Sequence, residues 1–371
     1  MTRRELLALA AVTPLLKAAP DAPVSTVAIA RVPSYDLDPT ATLNTMFDQL
    51  GGLGRIVRNK TVTIKLNLTG SPGLRFQGLP LGLTHYTHPR LVAATAYLMG
   101  QTGATRIRFV ESAWASGGPL EEYLLDSGWN VRSLVKMAPH VEFENTNNLG
   151  RSKSYARFKV PGQPYMFAAY DLNRAYEDTD VFVSMAKLKN HATCGVTLAM
   201  KNCFGITPAS IYGDDAGEKE PNEKPTAGRV NAMHLGKRGP SLSSPQELDA
   251  ASSRHPGYRM PRIVADIVKA RPIDLSIIDG VQSVSGGEGP WVKGLRVVKP
   301  GVVIAGLNPV NTDAVATAVM GYDPRAPKGT KPFGDCDNTL LLAEAHGIGS
   351  ADPRKIEVAG LPIAQAVYVY G

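Results

Sequence analysis

Between Asp180 and Gly205 the chain reads DVFVSMAKLKNHATCGVTLAMKNCFG, and its polar positions include Lys187, Lys189, His191, Lys201 and Asn202. Ammonium groups and an imidazole suit the capture of an anion followed by proton transfer. The lysines neutralise a phosphate or carboxylate, and an imidazole that titrates near neutral pH gives or takes a proton. His191 is therefore the leading candidate for general acid or base, with a lysine of depressed pKa, Lys187 or Lys189, behind it. Residues of the same kind recur at strand ends and loops: Lys65 and Asn67 in TVTIKLNL, His88 in THPR, Asp279 in IDLSIIDG, Glu288 in GGEGP and Asp313 in NPVNTD. Lys65, Lys187, Lys189, His191 and Lys201 would repel one another in one pocket unless an anion sat among them or carboxylates answered them. Asp279, Glu288 and Asp313 are the candidate answers. The expected ligand-binding set is Lys65, Asn67, His88, Lys201, Asn202, Asp279, Glu288 and Asp313.

Each of these residues also has a structural explanation. Lys65 at a strand end is either a solvated edge residue or one that reaches a ligand. His88 stands at a helix start, where imidazole stays neutral. Asp313 falls in the first turn of a helix, where the dipole favours a carboxylate. Two other function classes use the same residues. A non-catalytic binding protein needs the lysines but no proton-transfer group, and a metal-dependent enzyme could take His88, His191 and His234 with Asp279 or Asp313 as mixed nitrogen and oxygen ligands.

The elements that must position these groups alternate strand and helix. Ser25 to Val32, Thr61 to Leu68, Thr105 to Glu111, Val181 to Val183, Ile273 to Asp279 and Val302 to Leu307 read as strands. Helical patterns fall at Thr40 to Leu53, Leu91 to Met99, Pro119 to Ser127, Arg262 to Ala270, after Asn311 to Met320, and Asn338 to His346. Thr87 is placed to cap the second of these, with Pro89 in its first turn. This order implies an α/β fold with a mainly parallel or mixed sheet and helices on both faces. Val141 to Phe143, Ala156 to Val160 and Tyr165 to Tyr170 suggest a β-rich flank, and Lys355 to Val358 with Gln365 to Tyr370 suggest closing strands. Residues 207–257 are poor in apolar residues and read as a lid or loop insertion containing His234. In such sheets ligands bind outside the carboxyl ends of the strands, where the key residues cluster.

Length and composition narrow the classes. The 371 residues, 43% hydrophobic and 20% charged, can bury a large core and are ordinary globular material. Residues 26–371 read as one α/β domain. The net charge of +7 comes from scattered basic residues with no nucleic-acid module, so no nucleic acid is expected as partner. Cys194, Cys203 and Cys336 include no CxxC, which leaves neither a structural zinc site nor an iron–sulfur run; any cofactor stays unidentified. Gly286 to Pro290 lacks the spacing of a dinucleotide fingerprint. At the N-terminus, Arg3-Arg4, an apolar run from Ala8 to Leu16 and small residues at Ala18 and Ala19 make residues 1–22 look like a twin-arginine export signal. That implies a periplasmic or otherwise exported protein recognised by export machinery. The alternative is a cytoplasmic protein whose first helix is amphipathic.

The chain resembles the family filed as domain of unknown function 362. The resemblance runs from about residue 26 onward and rests on IKLNL at 64–68, THPR at 87–90, AKLKNH at 186–191, GVTLAMKNCFG at 195–205, DG at 279–280, GEGP at 287–290, NTDAVA at 311–316 and GYDP at 321–324. The family usually has Pro before the first Lys of the central block and Thr before its His, where this chain has Ala186 and Asn190. The resemblance implies an α/β fold and little chemistry. Many relatives carry an eight-cysteine ferredoxin-like module that this chain lacks, so their iron–sulfur label does not transfer, and a separate redox partner is what the resemblance leaves open.

Overall fold

The computed structural model describes residues 22–114, 116–147 and 154–371. The paired arginines and apolar run of the expected export signal lie outside the described residues.

An eight-stranded sheet carries the molecule. In chain order its strands are β1 (Val27–Arg31), β2 (Thr61–Lys65), β3 (Arg106–Glu111), β4 (His140–Asn145), β5 (Val181–Lys187), β6 (Leu275–Gly280), β7 (Val302–Gly306) and β8 (Val358–Gly360). Across the sheet the order is β8-β1-β7-β6-β5-β2-β3-β4. Only β7 runs against the rest, pairing antiparallel with both β1 and β6. The carboxyl ends of β6, β5, β2 and β3 therefore lie side by side. The α/β expectation holds, with a mixed sheet. Val141 to Phe143, read from sequence as part of a flank, instead belongs to the parallel edge strand β4. The flank itself is an antiparallel hairpin of Tyr155–Lys159 with Ala169–Asn173.

Side-chain alternation divides the core into layers. From one face Val62, Ile64, Ile107, Phe109, Val183 and Met185 pack with helices α1 (Thr40–Gln49) and α2 (Pro89–Gln101). On the other face Val110 and Phe182 pack with Met200 and Phe204 and with α4 (Pro256–Ala270), whose Ile263, Val264, Ile267 and Val268 form one apolar stripe. α3 (Leu198–Asn202), which carries Met200, shares this second layer. α5 (Pro309–Val319) and α6 (Thr339–Ala345) complete the helices used below.

Three local expectations change. α2 is capped by His88, whose Nδ1 accepts the Arg90 N–H, while Thr87 Oγ1 donates to the Met185 carbonyl and so ties the loop to β5. α4 starts at Pro256, earlier than the apolar pattern shows, because His255 caps it and Pro256 fits its first turn. Gln365 to Tyr370 does not form a strand. A short helix spans Ile363–Ala366, and the tail hydrogen-bonds to the end of α5 through Tyr368 N to Val319 O and Tyr370 N to Met320 O.

Residues 207–257 are largely irregular but packed down. They hold a short helix at Ala209–Tyr212 and a π-helical turn at Val230–His234. Ile211, Tyr212, Ala232 and Met233 join the apolar layer around α4, so hydrophobic burial fixes the segment despite its polar composition.

Candidate functional site

The lysines of the central block separate because of strand parity. Register sets Lys187 directly opposite Asp279 on the neighbouring strand. Lys187 shares its face with Val183 and Met185 and points towards α1 and α2, whereas Lys65 alternates away from Val62 and Ile64 and points towards α3. Two polar centres result, one on each side of the sheet's carboxyl edge.

The centre on the α1 and α2 side is closed. Lys187 Nζ donates to Asp279 Oδ2 at 2.9 Å and to the Tyr35 hydroxyl at 2.7 Å. Tyr35 in turn donates to Asp279 Oδ1 at 2.7 Å, and the backbone N–H groups of His88 and Val281 also reach this carboxylate. The His88 ring stacks on Tyr35 with centroids 3.7 Å apart. Burial pulls the Lys187 pKa down and Asp279 opposes it; burial also lowers His88 to about 4, with Asp279 again opposing. None of Lys187, His88 and Asp279 lines a described cavity.

The centre on the α3 side is open. A cavity of about 400 Å³ is bordered by Lys65, Asn67, Glu111, His191, Lys201, Asn202, Phe204, Arg229, His234, Glu288, Trp114 and Trp291, among others. Its floor is an ion pair, Lys65 Nζ to Glu111 Oε1 at 2.5 Å. Lys65 is completed by the Leu66 carbonyl and Asn202 Oδ1, and Glu111 by the Leu68 N–H. Burial raises the Glu111 pKa against the pull of Lys65. Gly205 lies so close over this pair that an added Cβ would sit 2.9 Å from Lys65 Nζ, which explains a glycine at that place.

The Phe204 ring organises the wall. Lys201 Nζ lies 4.4 Å and Arg229 Cζ 5.6 Å from its centroid, and the His234 ring meets it edge-on at 5.2 Å. Lys201 is only 8% exposed, yet its ammonium has no hydrogen-bond or ion-pair partner among the described residues. Burial pushes its pKa down, with Arg229 and Lys65 adding to the effect and Cys194 and Glu288 opposing it. Arg229 spends Nε on the Thr207 carbonyl and Nη2 on long contacts of 3.4 Å, leaving Nη1 without a partner among the described residues. Burial brings even this guanidinium down to about 10.

The two imidazoles are prepared differently. His191 Nδ1 accepts the Thr193 N–H at 3.2 Å, so the neutral ring carries its proton on Nε2. His234 Nδ1 faces the Arg229 carbonyl at 3.3 Å and must donate, which leaves Nε2 with a free lone pair. Burial keeps both rings neutral, with Lys201 adding to the effect: His191 falls well below its ordinary value, and His234 falls to about 4. Glu288 Oε2 lies 3.9 Å from His191 Nδ1, too far for a hydrogen bond, and accepts the Ala192 N–H instead.

Lys189 stands between the two centres, with Nζ donating to Thr69 Oγ1, His85 O and Glu288 O. Burial carries its pKa down to about 7, with Lys187 and Lys201 adding to the effect and Glu288 and Glu111 opposing it. Asp313 serves neither centre directly. From α5 it accepts the N–H groups of Ala199 and Met200 and so caps α3, whose first residue Leu198 has a left-handed φ of +46°. Strain of that kind costs about 1–3 kcal/mol and persists because burial and the cap over-determine it. Burial raises the Asp313 pKa to about 8 although both amides lower it.

Of the residues marked in the sequence, Lys65, Asn67, His191, Lys201, Asn202 and Glu288 thus meet at one cavity, while Lys187, Lys189, His88, Asp279 and Asp313 do not line it. Arg229, Phe204, Trp114 and Trp291 were not singled out, and His234 only as a metal ligand. Among the described residues no three His, Cys, Asp or Glu side chains are grouped to hold a metal ion, and neither His88 nor Asp313 joins His191 and His234 at the cavity.

Among known proteins, thylakoid-associated protein sll1697 of Synechocystis sp. is 25% identical over 303 residues, which cover 81% of this chain and 76% of that protein. Residues 62–318 match the family described as domain of unknown function (DUF362), a span that includes Lys65, the central block and Asp313. The chain belongs to the DUF362 family.

Proposed function

We propose that the cavity beside α3 binds a small molecule bearing a carboxylate or phosphate and carries out acid–base chemistry on it. One observation carries this reading: the Lys201 ammonium and the Arg229 Nη1 stand unpartnered against the same Phe204 ring, inside a cavity. A buried cation without a partner is costly, and an anionic ligand is the group that would satisfy both. Fixed donors aimed at an anion also stabilise negative charge that develops during a reaction. His191, with its proton on Nε2, is the candidate acid or donor, and His234, with a free Nε2 lone pair, the candidate base. Trp114 and Trp291, 41% and 51% exposed and stacked 6.0 Å apart at the cavity wall, offer a flat surface for an apolar part of the ligand.

The test is a thermal-shift screen of the full chain against carboxylated and phosphorylated metabolites, repeated on Lys201→Gln. A melting temperature raised by at least one anion, and raised less in the variant, is expected; no stabilisation by any anion would contradict the reading. The non-catalytic alternative separates at His191→Ala and His234→Gln, which leave affinity intact in a simple binder but abolish turnover in an enzyme.

Export through a twin-arginine signal is proposed on the sequence of residues 1–22 alone. No helix of the described residues is long and apolar enough to cross a membrane. Cell fractionation of Arg3→Lys combined with Arg4→Lys should retain the protein in the cytoplasm; unchanged export would sink the assignment.

A further inference from the structure

We propose that Lys201 is an amine nucleophile that forms an imine with the carbonyl group of an anionic substrate, a 2-oxo acid being the simplest class. The inference deepens the anion-pocket reading and rests on it.

Four lysines stand at the carboxyl edge of the sheet, and three of them have bonded oxygen partners. Lys65 has Glu111, Leu66 O and Asn202; Lys187 has Asp279 and Tyr35; Lys189 has three oxygen acceptors. All three nitrogens are engaged by bonded oxygen acceptors, although burial lowers the Lys187 pKa and brings Lys189 to about 7. Among the described residues Lys201 Nζ has no hydrogen-bond or ion-pair partner; it lies over the face of Phe204, and Lys201 borders the cavity. An amine becomes nucleophilic by desolvation or by neighbouring cations. Lys201 has both, being 8% exposed with Arg229 against the same ring, and its pKa is displaced downward by burial first.

The surrounding groups fit the steps. Arg229 Nη1 is free to hold the carboxylate and so bring the adjacent carbonyl carbon to Nζ. The unprotonated Nζ attacks that carbon, a C–N bond forms, and the developing alkoxide accepts a hydrogen bond from His191 Nε2–H. His234 Nε2 takes a proton from the now positive nitrogen and hands it to the alkoxide, which gives the carbinolamine and returns His234 to its neutral form. The nitrogen lone pair then expels the hydroxyl, which leaves as water with the second nitrogen proton, again carried by His234, producing the imine. The net change is one carbonyl and one amine converted to one imine and one water, with no oxidant or reductant required. Phe204 and the tryptophans limit the water that would reverse the reaction.

The experiment uses the full chain with pyruvate as the carbonyl probe and lactate as the same acid without a carbonyl, each with and without sodium borohydride. Hydride adds to the imine carbon and leaves a stable secondary amine for mass spectrometry. Expected is a single reduced pyruvate adduct on the peptide carrying Lys201, no adduct with lactate, thermal stabilisation by both acids, and complete loss of the adduct in Lys201→Arg. Mapping in the unsubstituted protein keeps the test valid should that variant misfold. Stabilisation by lactate without any adduct on Lys201 would overturn the imine and leave the anion pocket standing. No effect of either acid in binding or trapping would count against both. Adducts confined to exposed lysines such as Lys293 and Lys331 would also overturn the assignment.

Discussion

Lys187 and Lys201 belong to the same stretch of sequence, yet one is locked and the other is idle. The difference is one of alternation and register. Lys187 faces Asp279 across paired strands and is completed by Tyr35, so its charge is neutralised at short range and its geometry over-determined. Lys201 projects from a short helix onto Phe204 with Arg229 and His234 for company and no carboxylate bonded to it. A saturated buried ion pair stabilises little in net terms but is costly to break, whereas an unpartnered buried cation costs stability and gains it only when a ligand arrives. The first is built as framework and the second as function.

The contrast breaks most visibly at Asp279. Asp279→Ala leaves Lys187 buried without its counter-charge, and urea unfolding should show a loss of about 3–5 kcal/mol. A loss below about 1 kcal/mol would mean that the closed centre is not framework. Next is Gly205→Ala, where the new methyl meets a lysine that cannot swing aside because three partners hold it. About 1–3 kcal/mol of stability should disappear, and the cavity floor should be displaced.

A smaller effect comes from pH. His234 has a folded pKa of about 4, below its unfolded value of about 6.5, so the unfolded chain binds the proton first. The stability linked to its neutral form is fully present above about pH 6.5 and is lost as pH falls through 4. The slope is at most about 1.4 kcal/mol per pH unit, reduced because part of the ring meets water in the cavity. His85, His88 and His191 act in the same direction. Asp313, raised to about 8, acts in the opposite one: its contribution is complete below about pH 4 and is lost as pH rises through 8. Comparing the protein with His234→Gln between pH 4 and 6.5 isolates the imidazole, and the variant should give the shallower slope. Smallest of all is the stability change in Lys201→Met, expected as a gain of no more than about 1 kcal/mol because a buried cation without a bonded partner gives way to an apolar side chain. The same variant should lose about 10- to 100-fold in affinity for a stabilising anion. A large destabilisation would place Lys201 with the framework.

Much of this was legible in the sequence. TVTIK alternates cleanly, so Lys65 could be set opposite Val62 and Ile64 and near a strand end. Parity in VFVSMAK was not legible in the same way, since both faces of that central strand are apolar and no alternation marks which side Lys187 takes. Asp313, expected in the first turn of a helix, lies in the second, because Asn308 caps the helix and Pro309 already starts it. Its true task, capping α3, depends on a contact across more than a hundred residues that no local pattern encodes. Arg229 was hidden for a different reason. It sits in a polar segment without periodicity, anchored by the burial of a few apolar residues and by a bond to the Thr207 carbonyl. The nearest available signal was His234, five residues further on in the same segment.

One lysine at this edge lacks a bonded partner among the described residues while the others have one, and competitive acylation distinguishes them. The full chain is treated with a limiting amount of acetic anhydride, and modification is mapped by mass spectrometry with and without a stabilising carboxylate. Among Lys65, Lys187, Lys189 and Lys201, Lys201 is expected to be modified first and to be the one protected when the carboxylate is bound. Equal labelling of Lys187 and Lys201, or labelling of Lys201 that no anion suppresses, would contradict it.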